Sequence, residues 1–459
     1  MEKSTTDLQL SFTPCASLAA LGCYLQHIKL FAPIREQVKI DQKTLIHSPA
    51  DKLYDAWIAL LAGAHGLVEI NTRLRSDLAL QRAFGRSACA EQSTIQATLN
   101  ACTAENVSQL QTALTAIYRQ HSRGYRHDYT RQLQLLDIDL TGMPCGRKAA
   151  LSQKGYFATV RKRRGRQLGR VLASHYGEIV TDQVYPGTYS LVMVFRELVQ
   201  SAEAVLGLRE AQKHQTILRM DAGGGCLDDV NWALERGYQV HTKDYSRRRA
   251  RKLGRSVEEW FDDPQIAGRQ VGWVTLPATE YSRPIRRIAV RWRNKKGDWE
   301  YAIVLSTLLP RVVLQETGRP LEEVVEAQAV ILAYVRFYDA RGGGVETTFK
   351  DDKQGLGLTK RNKKRFEAQQ MVVLLGTLAH NVLIWARRWL ATSDPKMQLY
   401  GHKRMVRDIF HISGRLIRNV RGQIVQIVLN QATPRIRAIV RALEMLLRPL
   451  RLDVNWGEI

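Results

Sequence analysis

The sequence predicts an α/β protein: a mixed sheet with helices on both faces, interrupted by a β-rich insertion, with an all-α N-terminal domain and an α-helical C-terminal region. Three observations carry that expectation. Apolar residues recur at spacings of three and four through the first 130 residues, the period switches to two at residue 132, and short apolar strands then alternate with helical stretches. The boundaries fall at 1–130 for the helical N-terminal domain, taken as DNA-binding, and at 131–243 for the first part of the sheet. The insertion spans 244–318, the last helices of the sheet domain 319–390, and a basic helical region 391–459.

Residues 50–64, 76–84, 90–101 and 108–118 have helical spacing. The Gly85-Arg86-Ser87 turn between two of them resembles a helix-turn-helix, which would offer Glu91, Gln92, Ser93, Thr94 and Gln96 on its second helix. In 132–140 the residues Leu136, Ile138 and Leu140 alternate with Asp137 and Asp139, the pattern of a strand buried on one face. Strands follow at 155–160, 170–176 and 178–185, then a helix at 189–206, a strand at 216–220, a helix around 228–236 and a strand at 238–242. Strands joined through helices should be parallel, with right-handed crossovers. The insertion offers strands at 272–276, 288–293 and 299–306. Helix returns at 319–338, is broken by Gly342–Gly344, and restarts near Val345.

Charge narrows the function classes. The 459 residues hold 68 Lys+Arg against 44 Asp+Glu, a net charge of +24, which favours a polyanionic partner. The first 130 residues are nearly balanced, so the excess lies in the middle and at the C-terminal end. Two clusters, Arg161, Lys162, Arg163, Arg164 and then Lys360, Arg361, Lys363, Lys364, suit phosphates, because each neutralising contact releases a counterion. Six scattered cysteines lack ligand or disulfide spacing and read as buried thiols. The most apolar window, 371–389, contains His380, Asn381, Arg387 and Arg388 and reads as a buried helix, not a membrane span. The N-terminus, with Glu2 and Asp7, lacks the basic start of a secretion signal. A cytoplasmic, nucleoid-associated protein with no membrane partner is expected.

Asp139 and Asp221 each stand at the end of an expected strand with turn residues close behind, where open α/β sheets bind ligands. Glu346 follows the glycine run. Three carboxylates beside basic residues suit Mg²⁺, held by carboxylates, water and substrate phosphates. Asp137, deeper in its strand, reads as core-paired. Asp228 and Asp229 read as helix-start residues, and Trp273, Trp292 and Trp299 as packing residues before base-stacking ones. His175, His241, His380 and His411 lack ligand spacing, and no metal role is expected of them.

At these residues the chain resembles a known family. Asp-Ile-Asp139-Leu-Thr-Gly, then Leu-Arg-Met-Asp221-Ala-Gly-Gly-Gly with Leu-x-x-Gly-Tyr after it, then Tyr338-x-x-Arg341 and Glu346 followed by Lys353, resemble the DDE transposases of bacterial insertion sequences, in the branch with a Tyr–Arg–Glu–Lys signature. The resemblance covers roughly residues 130–390. It implies an RNase H-like catalytic domain, with Asp139, Asp221 and Glu346 as catalytic ligands of two Mg²⁺ ions (Mn²⁺ in their place) and Tyr338, Arg341 and Lys353 on DNA phosphates. It also implies element-end and target DNA as partners, and a homodimer assembled on DNA. In one departure, four residues separate Arg341 from Glu346 where the family has three. Two alternatives stay open: a non-catalytic DNA-binding protein derived from a transposase, and a metal-dependent nuclease without strand transfer.

Overall fold

The computed structural model describes residues 8–43, 46–157, 160–360 and 362–459. Glu2, Asp7 and Arg361 lie outside the described residues, as do the side chains of Arg161 and Lys162. The fold is mixed α/β and divides into two compact units. One comprises Met1–Ser122, Met143–Ser152 and Phe349–Ile459, the other Arg123–Gly142 and Gln153–Thr348.

The first unit is built around the helix Phe366–Ala391, whose residues 368–386 are buried on every side. A helix apolar all round is stable only when enclosed, and here Pro49–Leu61, Gln92–Ala101 and Ala104–His121 pack against it. Length and composition would let it cross a membrane, but its apolar window is wholly buried in the fold. The turn after Leu78–Ala83 passes through Gly85 at φ +68°. Arg86 in that turn is buried, with Nε 2.7 Å from Asp55 and a further contact of 3.1 Å to Asp51.

Two expectations are corrected in this unit. The N-terminal region is not all-α, and the C-terminal region is not purely helical. Gln9–Thr13 pairs antiparallel with Gly414–Arg418, which pairs antiparallel with Ile424–Asn430, and that strand runs parallel to Asp453–Gly457. The cause is legible afterwards. Ile424, Val425, Ile427 and Val428 are β-branched, and stiff side chains of that kind favour the pleated surface over a helix.

The second unit holds one long sheet. Its central order is Glu178–Pro186, Val160–Ala173, Gln134–Pro144, Thr216–Met220, Gln239–Lys243. The first two strands are antiparallel, and the last three are parallel, as strands connected through helices should be. The insertion does not form a layer of its own. Trp299–Ser306 pairs antiparallel with Gln239–Lys243, and Arg286–Arg293, Arg269–Trp273 and Phe261–Asp262 continue the same sheet outward.

Helices cover both faces, which the pleat reports directly. Leu135, Ile217, Ile288, Val290 and Val304 form one buried cluster with the helix Ala327–Asp339. On the other face Gly169 meets Leu198 of helix Leu191–Leu206, and Gly254 of helix Arg247–Gly254 rests on Tyr301. Trp273 packs edge-on against Tyr334, 5.6 Å between centroids. Trp299 lies between Arg291 and Arg293, whereas Trp292 is 38% exposed and does not serve as core.

Candidate active site at the carboxyl edge of the parallel strands

The register of the parallel strands builds the site. Ile138 and Met220 are direct partners, so Asp139 and Asp221, the residues that follow that pair, leave it at the same edge of the sheet. The third parallel strand ends at Lys243 on the same edge. The strand bearing Asp139 runs on to Pro144, so Asp139 marks the end of its parallel pairing, not the end of the strand. Asp221 opens the turn Ala222–Gly224, its carboxylate accepting from the Gly223 amide at 2.8 Å.

The helix Ala327–Asp339 delivers the second half. After it, a 3₁₀ turn, Ala340–Gly343, carries Arg341, and Glu346 stands in the first turn of the helix Val345–Gly355. Two helices separated by a glycine turn therefore accommodate the additional residue between Arg341 and Glu346. Arg341 is buried. Its Nη1 donates to Asp139 at 2.9 Å and its Nη2 to Glu346 at 2.5 Å, while Nε has no partner among the described residues. One guanidinium thus spans two of the three carboxylates.

Electrostatics follow from that crowding. Burial pushes the Asp139 carboxyl up to about 7; Asp221 and Glu346 push the same way, and Arg341 only partly opposes them. Burial alone would lower Arg341, but Asp139, Tyr338 and the other two carboxylates outweigh it and hold the guanidinium protonated. Burial raises the Tyr338 phenol to about 12. The Lys243 ammonium sits 4.3 Å from the Tyr338 ring centroid, a cation–π contact, and burial is the main cause of its lowered pKa.

Of the residues singled out in the sequence, Asp139, Asp221, Glu346, Tyr338 and Arg341 come together here. Lys353 is half-buried on the same helix as Glu346, seven residues further along. Arg163 is exposed and Arg164 half-buried on the strand Val160–Ala173, and Lys360 and Lys364 are exposed. Lys363 is corrected as a phosphate contact: it is 8% exposed, with its ammonium 3.0 Å from Gln96 Oε1. Lys243 was missed, although the strand-edge argument used for Asp139 and Asp221 would have found it. His380 converges with His402 on Asp352, a contact that its sequence spacing does not reveal. Asp137 pairs with Arg219, and Asp228 and Asp229 open the helix Leu227–Glu235, as expected.

The donor set suits a hard divalent cation. Two carboxylates, Asp139 and Glu346, already hold a cationic group, and Asp221 adds its charge nearby, with no sulfur or imidazole among them. The class defined by fold and geometry is a mixed α/β protein with a carboxylate–arginine cluster on the carboxyl edge of its parallel strands. No family model matches the chain, and no curated protein matches it. Among solved structures, a cryo-EM structure of a piggyBac transposase synaptic complex with hairpin DNA is similar, at 13% identity and a TM-score of 0.47, over 88% of this chain and 82% of that one.

Proposed function

We propose that the chain is a DDE-type DNA transposase whose second unit is an RNase H-like catalytic domain. It would bind the inverted repeats of its mobile element, hydrolyse a phosphodiester at each end, and join the freed 3′-OH to target DNA. The observation that carries this reading is Asp139 and Asp221 following one another's register partners on the carboxyl edge, with Arg341 bridging Asp139 to Glu346. Those three carboxylates would hold Mg²⁺, which when bound would supply activation of the attacking oxygen and neutralise charge on the leaving one. Arg341 and Lys243 would hold scissile-strand phosphate, with Tyr338 supporting both cations. Arg163, Arg164, Lys360 and Lys364 supply further phosphate contacts. Two ends must be joined in one event, so a homodimer assembled on DNA is part of the proposal, as is a nucleoid location.

One observation favours a second reading. A guanidinium bridging Asp139 and Glu346 is also what a DNA-binding protein without chemistry would hold in place of metal. A cleavage and joining assay on end DNA, with Mg²⁺ or with chelator, separates the two. Metal-dependent 3′-OH ends that join target DNA, lost in Glu346→Gln while DNA binding persists, support the transposase; joining retained in Glu346→Gln refutes the assignment of Glu346. The amide oxygen of a glutamine at this position can still accept from Arg341, so the substitution tests the charge without dismantling the site.

A further inference from the structure

A second polar cluster lies wholly within the first unit. Asp352 Oδ1 is 2.9 Å from His380 Nδ1 and 3.0 Å from His402 Nδ1. One ligand atom from each residue lies within 4.8 Å of the others. All three are enclosed, at 3%, 0% and 2% exposure, and the two rings meet edge to face with centroids 4.4 Å apart. The three residues come from separate segments: the C-terminal half of Val345–Gly355, the middle of Phe366–Ala391, and the start of the short helix His402–Arg404.

The backbone is arranged to bring them together. A Cβ on Gly355 would stand 2.6 Å from the Lys403 amide nitrogen and 2.7 Å from His402 Cβ, so glycine there lets the 402–403 backbone lie directly on the Asp352 helix. His402–Arg404 then runs into a π-helical turn, Met405–Phe410. Such turns are rare and occur often at functional sites.

Both rings address the same carboxylate oxygen through Nδ1. Tetrahedral zinc with bonds of about 2.0–2.1 Å sets its donor atoms roughly 3.3 Å apart, so the two oxygen–nitrogen pairs need to open by only a few tenths of an ångström, and the three residues' ligand atoms already lie within 4.8 Å of one another. Two nitrogens and one oxygen form a softer set than the three carboxylates at the sheet edge, and suit Zn²⁺ over Mg²⁺. Enclosure of all three leaves no open approach for a substrate, which fits a structural ion.

We propose that Asp352, His380 and His402 bind one Zn²⁺, with water as the fourth ligand, and that this ion fastens together three segments of the first unit. The inference is independent of the Mg²⁺ chemistry proposed above.

The test uses the full chain purified without chelator, with metal content measured by elemental analysis. About one Zn²⁺ per chain is expected, removable by a strong chelator and restored by titration with Zn²⁺ alone, each restoration raising Tm by several degrees. Glu346→Gln should keep the full equivalent, whereas Asp352→Asn and His402→Ala should lose tight uptake. A His402→Cys variant loaded with Co²⁺ should show a sulfur-to-metal charge-transfer band in the near ultraviolet. A wild-type chain that takes up no tight equivalent of Zn²⁺ overturns the proposal. So does iron as the resident metal, uptake in His402→Ala equal to wild type, or a folded His402→Cys chain whose Co²⁺ form lacks the band.

Discussion

Asp137 and Asp139 stand two residues apart on the same face of one strand, and they hold their charge in opposite ways. Asp137 is fully buried and closed: Arg219 clasps it through Nε at 2.6 Å and Nη2 at 2.8 Å, and the Ser174 hydroxyl donates at 2.6 Å. Arg219 donates through its third nitrogen, Nη1, to the Phe337 carbonyl at 2.7 Å and lies over that residue's ring. Asp139 receives one bond from an arginine that it shares with Glu346, and one from the amide of Leu140. The first carboxylate has two dedicated partners and the second must share. A buried pair that is fully matched serves the fold, whereas a carboxylate pushed up to about 7 beside two others is poised to exchange its partner for another cation.

The largest effect that would break this comparison belongs to the closed pair. Asp137→Ala should destabilise the chain by about 3–5 kcal/mol, because Arg219 is left charged and buried without its partner. Denaturant unfolding of the purified chain measures it. The double variant Asp137→Leu with Arg219→Met should be markedly less damaging than Asp137→Ala. A cost equal to the single variant's would mean that the strand edge, not the ion pair, is the sensitive element.

Gly344 sharpens the same point with a smaller effect. A Cβ there would stand 2.3 Å from Asp137 Oδ2, inside contact distance of an oxygen already fixed by Arg219 and Ser174. Gly344→Ala should cost about 1–3 kcal/mol by displacing that carboxylate or the turn that sets Glu346. An unchanged unfolding midpoint would show that the turn can move freely away from the strand.

These contrasts explain which parts of the molecule could be read from its residues. The period-two stretch at 132–140 and the apolar strand at 216–220 were visible because side-chain alternation is local, and the strand-edge rule then paired Asp139 with Asp221. The sharing of Arg341 was not visible, since it depends on a 3₁₀ turn whose direction four residues with three glycines do not specify. The C-terminal sheet was hidden because Gly414–Arg418 finds its partner at Gln9–Thr13, some four hundred residues earlier. Asp352, His380 and His402 were hidden for a related reason: no regular spacing joins them, and only the packing of three helical segments does. Local periodicity carries elements, and long-range pairing carries sites.

The pH dependence of Asp139 is the most discriminating effect. Asp139 in the folded chain titrates at about 7, against about 3.9 for an unperturbed aspartate. Between about pH 4 and pH 7 the folded chain therefore keeps a proton that the unfolded chain has released. Stability should fall as pH rises through that window, and level off above it. Asp139→Asn cannot release that proton and can still accept from Arg341, so it should flatten the slope and stabilise the chain at pH 7 by about 1–3 kcal/mol. Mg²⁺ favours the ionised carboxylate, so adding it should restore stability to the wild type near neutral pH and leave Asp139→Asn unmoved. Thermal unfolding of both chains across pH 4–8, with and without Mg²⁺, reads all three effects. Parallel pH profiles for the two chains would mean that Asp139 is held as firmly as Asp137 and that the open carboxylate of this comparison does not exist.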